Sequence, residues 1–187
     1  MVISFCGHSR IGDSKSIKAE LIRVLEPKIV QNSSVTFYLG GYGDFDSICF
    51  STLKELQIKY SKISIIFVTP YIDEKYKKLK IANKIYDGTL FPPLENIPKR
   101  YAIAKRNEWI VEHSDLLIVY VNVTWGGAYN MLEYAKRNRT ICEVPITTIY
   151  LDDNKSSHFH AVRDSFLIYM EILKHIDIRA ERRGAGW

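Results

Sequence analysis

Residues 35–46 read VTFYLGGYGDFD, and this stretch decides the fold. Its first half, Val35–Leu39, is a short β-branched and aromatic run, which predicts a buried strand. Glycines follow at Gly40, Gly41 and Gly43, and an amphipathic segment begins at Asp44. A strand, a glycine turn and a helix start in this order commonly hold an anion, because the bare backbone approaches it and N–H groups point at it.

The same alternation extends along the chain. Amphipathic segments begin near Ser14, after Pro98 and near Ala128, and a final one covers 159–179. Further apolar runs occur at Val2–Cys6, Ile63–Val68, Leu116–Val121 and Ile146–Leu151. They are nearly continuous, as in strands that helices cover on both faces. The pattern predicts an α/β fold: a Rossmann-like, doubly wound, mostly parallel sheet of about five to seven strands flanked by helices.

The segment from Pro70 to Pro98 departs from this alternation. We expect a helix over 73–85 and irregular chain from Thr89 to Pro98, in a loop long enough to contact a ligand. At 187 residues the chain suits one domain, which we place at 1–180, with 181–187 as a flexible tail.

The amino-acid composition limits which classes of protein this chain can belong to. Hydrophobic residues make up 47% and charged residues 25%, as in soluble globular proteins, and no apolar run approaches the roughly 20 residues of a membrane span. The amino terminus reads as a strand rather than a leader, which predicts a cytoplasmic location. Three separated cysteines without CxxC spacing predict neither a disulfide framework nor a metal site. We also predict no cofactor.

The formal net charge of +5 fits a phosphate-bearing ligand. The basic residues form no dense stripe, so they could equally be solvated helix faces. Single-stranded DNA binding is supported by charge alone, and a small anionic ligand is the favoured partner.

Ligands of open parallel sheets bind beyond the carboxyl ends of the strands, and three loops here follow such ends. The first contains Gly7, His8 and Arg10. Gly7 permits a tight exit from the strand, and Arg10 could grip a phosphate with its fork of donors. A surface arginine and an ordinary loop histidine are the simpler interpretations.

The second loop is the first glycine turn, Gly40–Gly43. We expect its amides to hold phosphate and Tyr42 to stack on a ring. Asp44 is a candidate helix cap. Asp46 could bind a ligand hydroxyl, or it could simply be favoured by the helix dipole.

The third loop is the second glycine turn, 125–128, with Trp125, Gly126 and Gly127. Asn130 and Glu133 follow on the predicted helix, and the seven-residue spacing from Gly126 puts Glu133 on the side of the turn. Glu133 could bind a ribose or act in acid–base chemistry. A surface pair with Arg137 would also explain it.

Together these motifs resemble the SLOG superfamily, the Rossmann-like group that includes Lonely-guy phosphoribohydrolases and the DprA/SMF proteins. The likeness is greatest to small, mostly uncharacterised bacterial SLOG proteins, and it covers roughly residues 1–140 in the right order. The matching segments are Phe5–His8, Tyr38–Asp46, Pro70 with Tyr71, Phe91–Glu95, Arg100 with Ala104–Trp109, and Trp125–Ala128.

The resemblance implies binding of a nucleotide, a nucleotide sugar or a related metabolite. Arg106 and Glu133 match the arginine and glutamate that assist N-glycosidic cleavage in Lonely-guy enzymes. Trp125 stands where that motif has proline, and Tyr129 and Asn130 stand where it has Gly-Thr. Relatives often pair through helices beside the site, so a homodimer or larger homo-oligomer is expected.

Two functions follow. The favoured one is binding of a nucleotide-derived molecule, as in a sensor for stress or phage defence, with Asp46, Asn107 and Glu133 on ribose hydroxyls. The alternative is an N-glycosidic-bond hydrolase or transferase in which Arg106 orients the substrate and Glu133 acts at the reacting carbon. Whether the protein is an enzyme stays open.

Overall fold

The computed structural model describes residues 1–12, 14–73 and 86–138, which belong to a compact unit spanning Met1–Cys142. Its strands are β1 (Val2–Gly7), β2 (Val35–Leu39), β3 (Ile63–Val68), β4 (Gly88–Leu90) and β5 (Leu116–Tyr120). Its helices are α1 (Ser14–Gln31), α2 (Gly43–Lys59), α3 (Lys99–Glu112) and α4 (Gly126–Asn138).

The five strands form one parallel sheet in the order β4-β3-β2-β1-β5. The chain moves outward from β1 through β2 and β3 to β4, and then returns to the other side of β1 to form β5. This confirms the predicted Rossmann-like α/β class. The order reverses between β1 and β5, which is where open α/β sheets usually bind their ligands.

Helices cover both faces of the sheet, as the apolar strands predicted. One core cluster joins Ile3 and Phe5 of β1 to residues of α1 and α2, such as Leu25 and Leu53. The other joins Cys6, on the opposite face of β1, to apolar residues of α3 and α4. Because successive strand residues point to opposite faces, β1 contributes to both cores.

The region around β4 corrects one expectation. We predicted irregular chain from Thr89, but Gly88–Leu90 pairs with Ile66–Val68 as an edge strand. Three residues that include a glycine are too few to give a periodic signal, so their pairing partner determines their conformation. The predicted helix over 73–85, strand Ile146–Leu151, helix 159–179 and tail lie wholly or almost wholly outside the described residues.

None of the helices in the described part of the chain is both long and apolar enough to span a bilayer.

Candidate functional site

The three predicted loops lie at one edge of the sheet. All five strands are parallel, so β1, β2 and β5 end on the same side. The ends of β2 and β5 are separated by β1 and hence by two strand spacings, about 10 Å. We call this side, where the strands end, the C-terminal edge.

The loop after β1 is tied to both of its neighbours. Toward β5, the backbone N–H of His8 donates to the Tyr120 carbonyl at 3.3 Å, and Nε2 of His8 accepts from the Val123 N–H at 3.2 Å. Toward α2, the Asp44 N–H donates to the Ser9 carbonyl at 3.1 Å. His8 therefore joins the loops on either side of the point where the strand order reverses.

Gly7 and Arg10 occupy contrasting positions in the same loop. A Cβ at Gly7 would collide with the Phe45 ring, so glycine is needed there for close packing of β1 against α2. Arg10 is exposed on this loop.

The first glycine turn is filled by the protein itself. The backbone N–H groups of Gly40 and Gly41 donate to the Asp46 carboxylate at 3.2 and 2.6 Å. The expectation that these two amides hold phosphate therefore needs correction, since here they hold Asp46. Asp46 is only 7% exposed, and this position removes it from the surface where a ribose hydroxyl would meet it.

Packing explains why this turn is glycine-rich. Gly41 has φ +73°, and a Cβ there would lie 2.6 Å from the Phe67 ring. Gly43 has φ +81°, and its Cβ would lie 2.6 Å from Cα of Ser9. These glycines satisfy steric needs of the fold, whatever else they do.

The start of α2 differs from the prediction in one detail. Its N-cap residue is Tyr42, which makes no side-chain capping bond, so the proposed Asp44 cap is wrong. The Asp44 carboxylate instead accepts the Ile11 N–H at 3.1 Å, because Asp44 lies in the first helical turn facing the loop after β1. Tyr42 is 41% exposed.

Arg106 lies beneath the first glycine turn. It is 2% exposed, and its Nη1 donates to the carbonyl of Val68 at the end of β3 at 3.2 Å. A Cβ at Gly40 would collide with the same nitrogen, so the guanidinium packs directly against Gly40. Asp46 and Arg106, with opposite charges, thus both contact this one glycine.

The end of β3 and the helix α3 contribute three other predicted residues. Pro70 is buried, and Asn107 is half-buried next to Arg106. Tyr71 is half-buried and donates its hydroxyl hydrogen bond to the Lys99 carbonyl at 3.1 Å, which links the end of β3 to α3.

The second glycine turn is open. Gly126 and Gly127 are exposed, and in the described part of the chain a Cβ on either would meet nothing within 4 Å. Within the described ranges, no acceptor binds the N–H groups of Gly126–Ala128. Trp125 beside them is 73% exposed, and Asn130 is also exposed. This turn and the first glycine turn look alike in the sequence but differ in the fold.

Cys6 anchors the second glycine turn, which the sequence did not reveal. Its thiol donates to the Ala128 carbonyl at 3.2 Å, linking β1 to the start of α4. Burial raises the pKa of Cys6 to about 12, so the thiol keeps its proton and stays a donor at neutral pH. The sequence showed only that Cys6 lies among apolar residues, which predicted a buried side chain.

Glu133 lies on α4, where its carboxylate pairs with Lys136 at 3.2 Å. The predicted surface partner was Arg137, whose Nε instead donates to the Glu133 backbone carbonyl. A half-exposed pair of this kind contributes little to stability. A catalytic role for Glu133 with Arg106 stays a prediction.

Comparison with known proteins gives one distant likeness. No protein-family model matches the chain. An uncharacterized SPbeta prophage-derived protein, YoqJ of Bacillus subtilis (strain 168), is 27% identical over 140 residues, which cover 65% of this chain and 81% of that protein.

Proposed function

We propose that this protein binds a nucleotide or a nucleotide-derived metabolite at the C-terminal edge, across the loops that follow β1 and β5. The observation that carries the proposal is the open second glycine turn. It has exposed glycines whose N–H groups donate to no acceptor among the described residues, at the start of the 13-residue helix α4.

The electrostatics of this turn favour an anion. Unpaired N–H groups at a helix start carry partial positive charge, and the aligned peptide dipoles of α4 add to it. Arg10 is exposed on the loop after β1, which His8 connects to the β5–α4 loop. A phosphate group has the charge and the acceptor oxygens that suit both features.

The neighbouring aromatic residue favours a base. The Trp125 side chain is mostly exposed next to the glycines, so its apolar rings lie in water unless something covers them. A planar heterocycle stacked on the indole would bury that surface. A turn that can bind a phosphate, next to an exposed aromatic ring on which a base can stack, is the combination that suits a nucleotide.

The sequence predicts a sensor in stress or phage defence, and the relative from Bacillus subtilis is described as prophage-derived, which is consistent with a role in phage biology. A sensor of a nucleotide signal in such a setting would need binding alone, without turnover.

A thermal-shift screen tests the proposal. Purified protein is heated with nucleoside mono-, di- and triphosphates, NAD and cyclic nucleotides. A ligand present at 100 times its Kd should stabilise the fold by about 2.7 kcal/mol, which raises Tm by roughly 5–10 °C for a chain of this size.

Gly127→Asp is the diagnostic variant. It places a negative charge at the open turn, where an added Cβ has no neighbour within 4 Å among the described residues. Ser33→Asp is its matched control, because Ser33 is exposed between α1 and β2, at the opposite edge of the sheet. The proposal expects Gly127→Asp to lose the shift and Ser33→Asp to keep it. A panel that stabilises neither the wild type nor the control would contradict it.

A further inference from the structure

Four N–H groups at the first glycine turn and the start of α2 are already in use. Gly40 and Gly41 donate to Asp46, and the N–H groups of Asp44 and Phe45 donate to the carbonyls of Ser9 and His8, at 3.1 and 3.5 Å. An incoming phosphate would have to break these hydrogen bonds. These four donors, which could otherwise attract an anion, are already in use.

The Asp46 carboxylate, which accepts these hydrogen bonds, is itself negatively charged. Asp46 is buried, and its negative charge contributes, after burial itself, to raising the pKa of both Cys49 and Tyr86. A second anion at the same amides would meet this carboxylate where little water screens the repulsion.

Arg106 places a positive charge at the same turn. Its guanidinium packs against Gly40, the residue whose N–H donates to Asp46, and its Nη1 donates to the Val68 carbonyl. A cation next to a buried carboxylate favours the ionised acid. The arrangement is therefore that of an anion site whose anion belongs to the chain.

We infer that Asp46 is a built-in anion that closes the Gly40 and Gly41 amides of the first glycine turn to external anions, and so determines where along the C-terminal edge a charged ligand group can bind. The inference rests on the proposed function for its consequence, which is that the ligand's phosphate is excluded from Gly40 and Gly41. The closure itself can be tested without any nucleotide.

Chemical rescue with formate is the test. Asp46→Ala removes the carboxylate and leaves two amide donors beside Arg106. We expect its Tm to fall by about 5 °C or more, and sodium formate to recover part of that loss where sodium chloride at equal ionic strength does not. The wild type and Asp44→Ala, which loses a carboxylate from the same helical turn, should respond equally to both salts. Equal responses in Asp46→Ala would overturn the inference.

Asp46→Asn keeps the test decisive if the alanine variant does not fold. Its amide oxygen retains an acceptor but not the charge. In ¹H–¹⁵N spectra, sodium phosphate should shift the Gly40 and Gly41 resonances of Asp46→Asn and leave those of the wild type in place. Shifts of equal size in both proteins would overturn the inference. A failed nucleotide screen with a successful formate rescue would refute the proposed function alone.

Discussion

The contrast between the two glycine turns can be measured with three alanine variants. Gly41→Ala combines a positive φ with a clash against Phe67, Gly126→Ala has the positive φ alone, and Gly127→Ala has neither. The series therefore separates backbone strain from overpacking at positions that the sequence alone does not distinguish.

The expected magnitudes follow from these geometries. A left-handed conformation costs an alanine about 1–2 kcal/mol, and displacing a packed core ring costs about 1–3 kcal/mol. Gly41→Ala should therefore lose about 2–5 kcal/mol, a large part of the roughly 5–15 kcal/mol that stabilises a domain. Gly126→Ala should lose about 1–2 kcal/mol. Gly127→Ala should change by about 0.5 kcal/mol or less.

Urea denaturation monitored by tryptophan fluorescence and circular dichroism supplies the free energies of unfolding. With a slope of about 2 kcal/mol per M, a loss of 3 kcal/mol moves the midpoint by about 1.5 M. Equal losses for Gly41→Ala and Gly126→Ala would show that Phe67 does not fill the first turn. A loss above about 1 kcal/mol for Gly127→Ala would show that the second turn is packed rather than open.

Three further predictions concern the reactivity of the cysteine thiols, the loss of stability at acid pH and the cleavage of N-glycosidic bonds. In a Cys142→Ser background, Cys6 and Cys49 should stay unreactive toward a disulfide reagent at pH 8 until the protein is unfolded, because burial raises both pKa values; rapid labelling of the native protein would contradict their burial. Lys59 lowers the pKa of Glu26, so the stability from this pair is present above the unfolded pKa of about 4.5 and is lost as pH falls through the lower folded value; Glu26→Gln should therefore lose less stability than the wild type between pH 5 and pH 3 in thermal melts, and parallel curves would refute the coupling. If the protein cleaves N-glycosidic bonds, Glu133→Ala should lower release of free base from nucleoside monophosphates or NAD by 100-fold or more in a chromatographic assay, and unchanged release would remove Glu133 from the mechanism.

Much of the fold could be predicted from the sequence because it depends on local patterns of residues. Near-continuous apolar runs marked β1, β2, β3 and β5 to within a residue, since buried parallel strands require such runs. The exception, β4, gains its conformation from pairing with β3 and carries almost no pattern of its own.

The candidate site could be predicted only in part, because the surroundings of its glycines depend on residues that are distant in sequence. Phe67 and Arg106 fill the space around Gly41 and Gly40, whereas no residue that the structure describes comes comparably close to Gly127. The Asp46 carboxylate also has to reach back to the N–H group of Gly41, and this requires the positive φ of the glycines before Asp46. Glycine spacing reports neither of these, so the prediction from sequence put more weight on the first turn as a ligand site than the fold supports.

An NMR titration tests the central claim most directly. A nucleoside monophosphate is added to ¹⁵N-labelled protein, and the amide resonances of the two glycine turns are followed together with the Trp125 indole. If the ligand binds at the second glycine turn, the resonances of Gly126, Gly127 and the Trp125 indole should show saturable shifts, and those of Gly40 and Gly41 should stay nearly unmoved. Shifts confined to Gly40 and Gly41, or no saturable shift with any nucleotide, would contradict it.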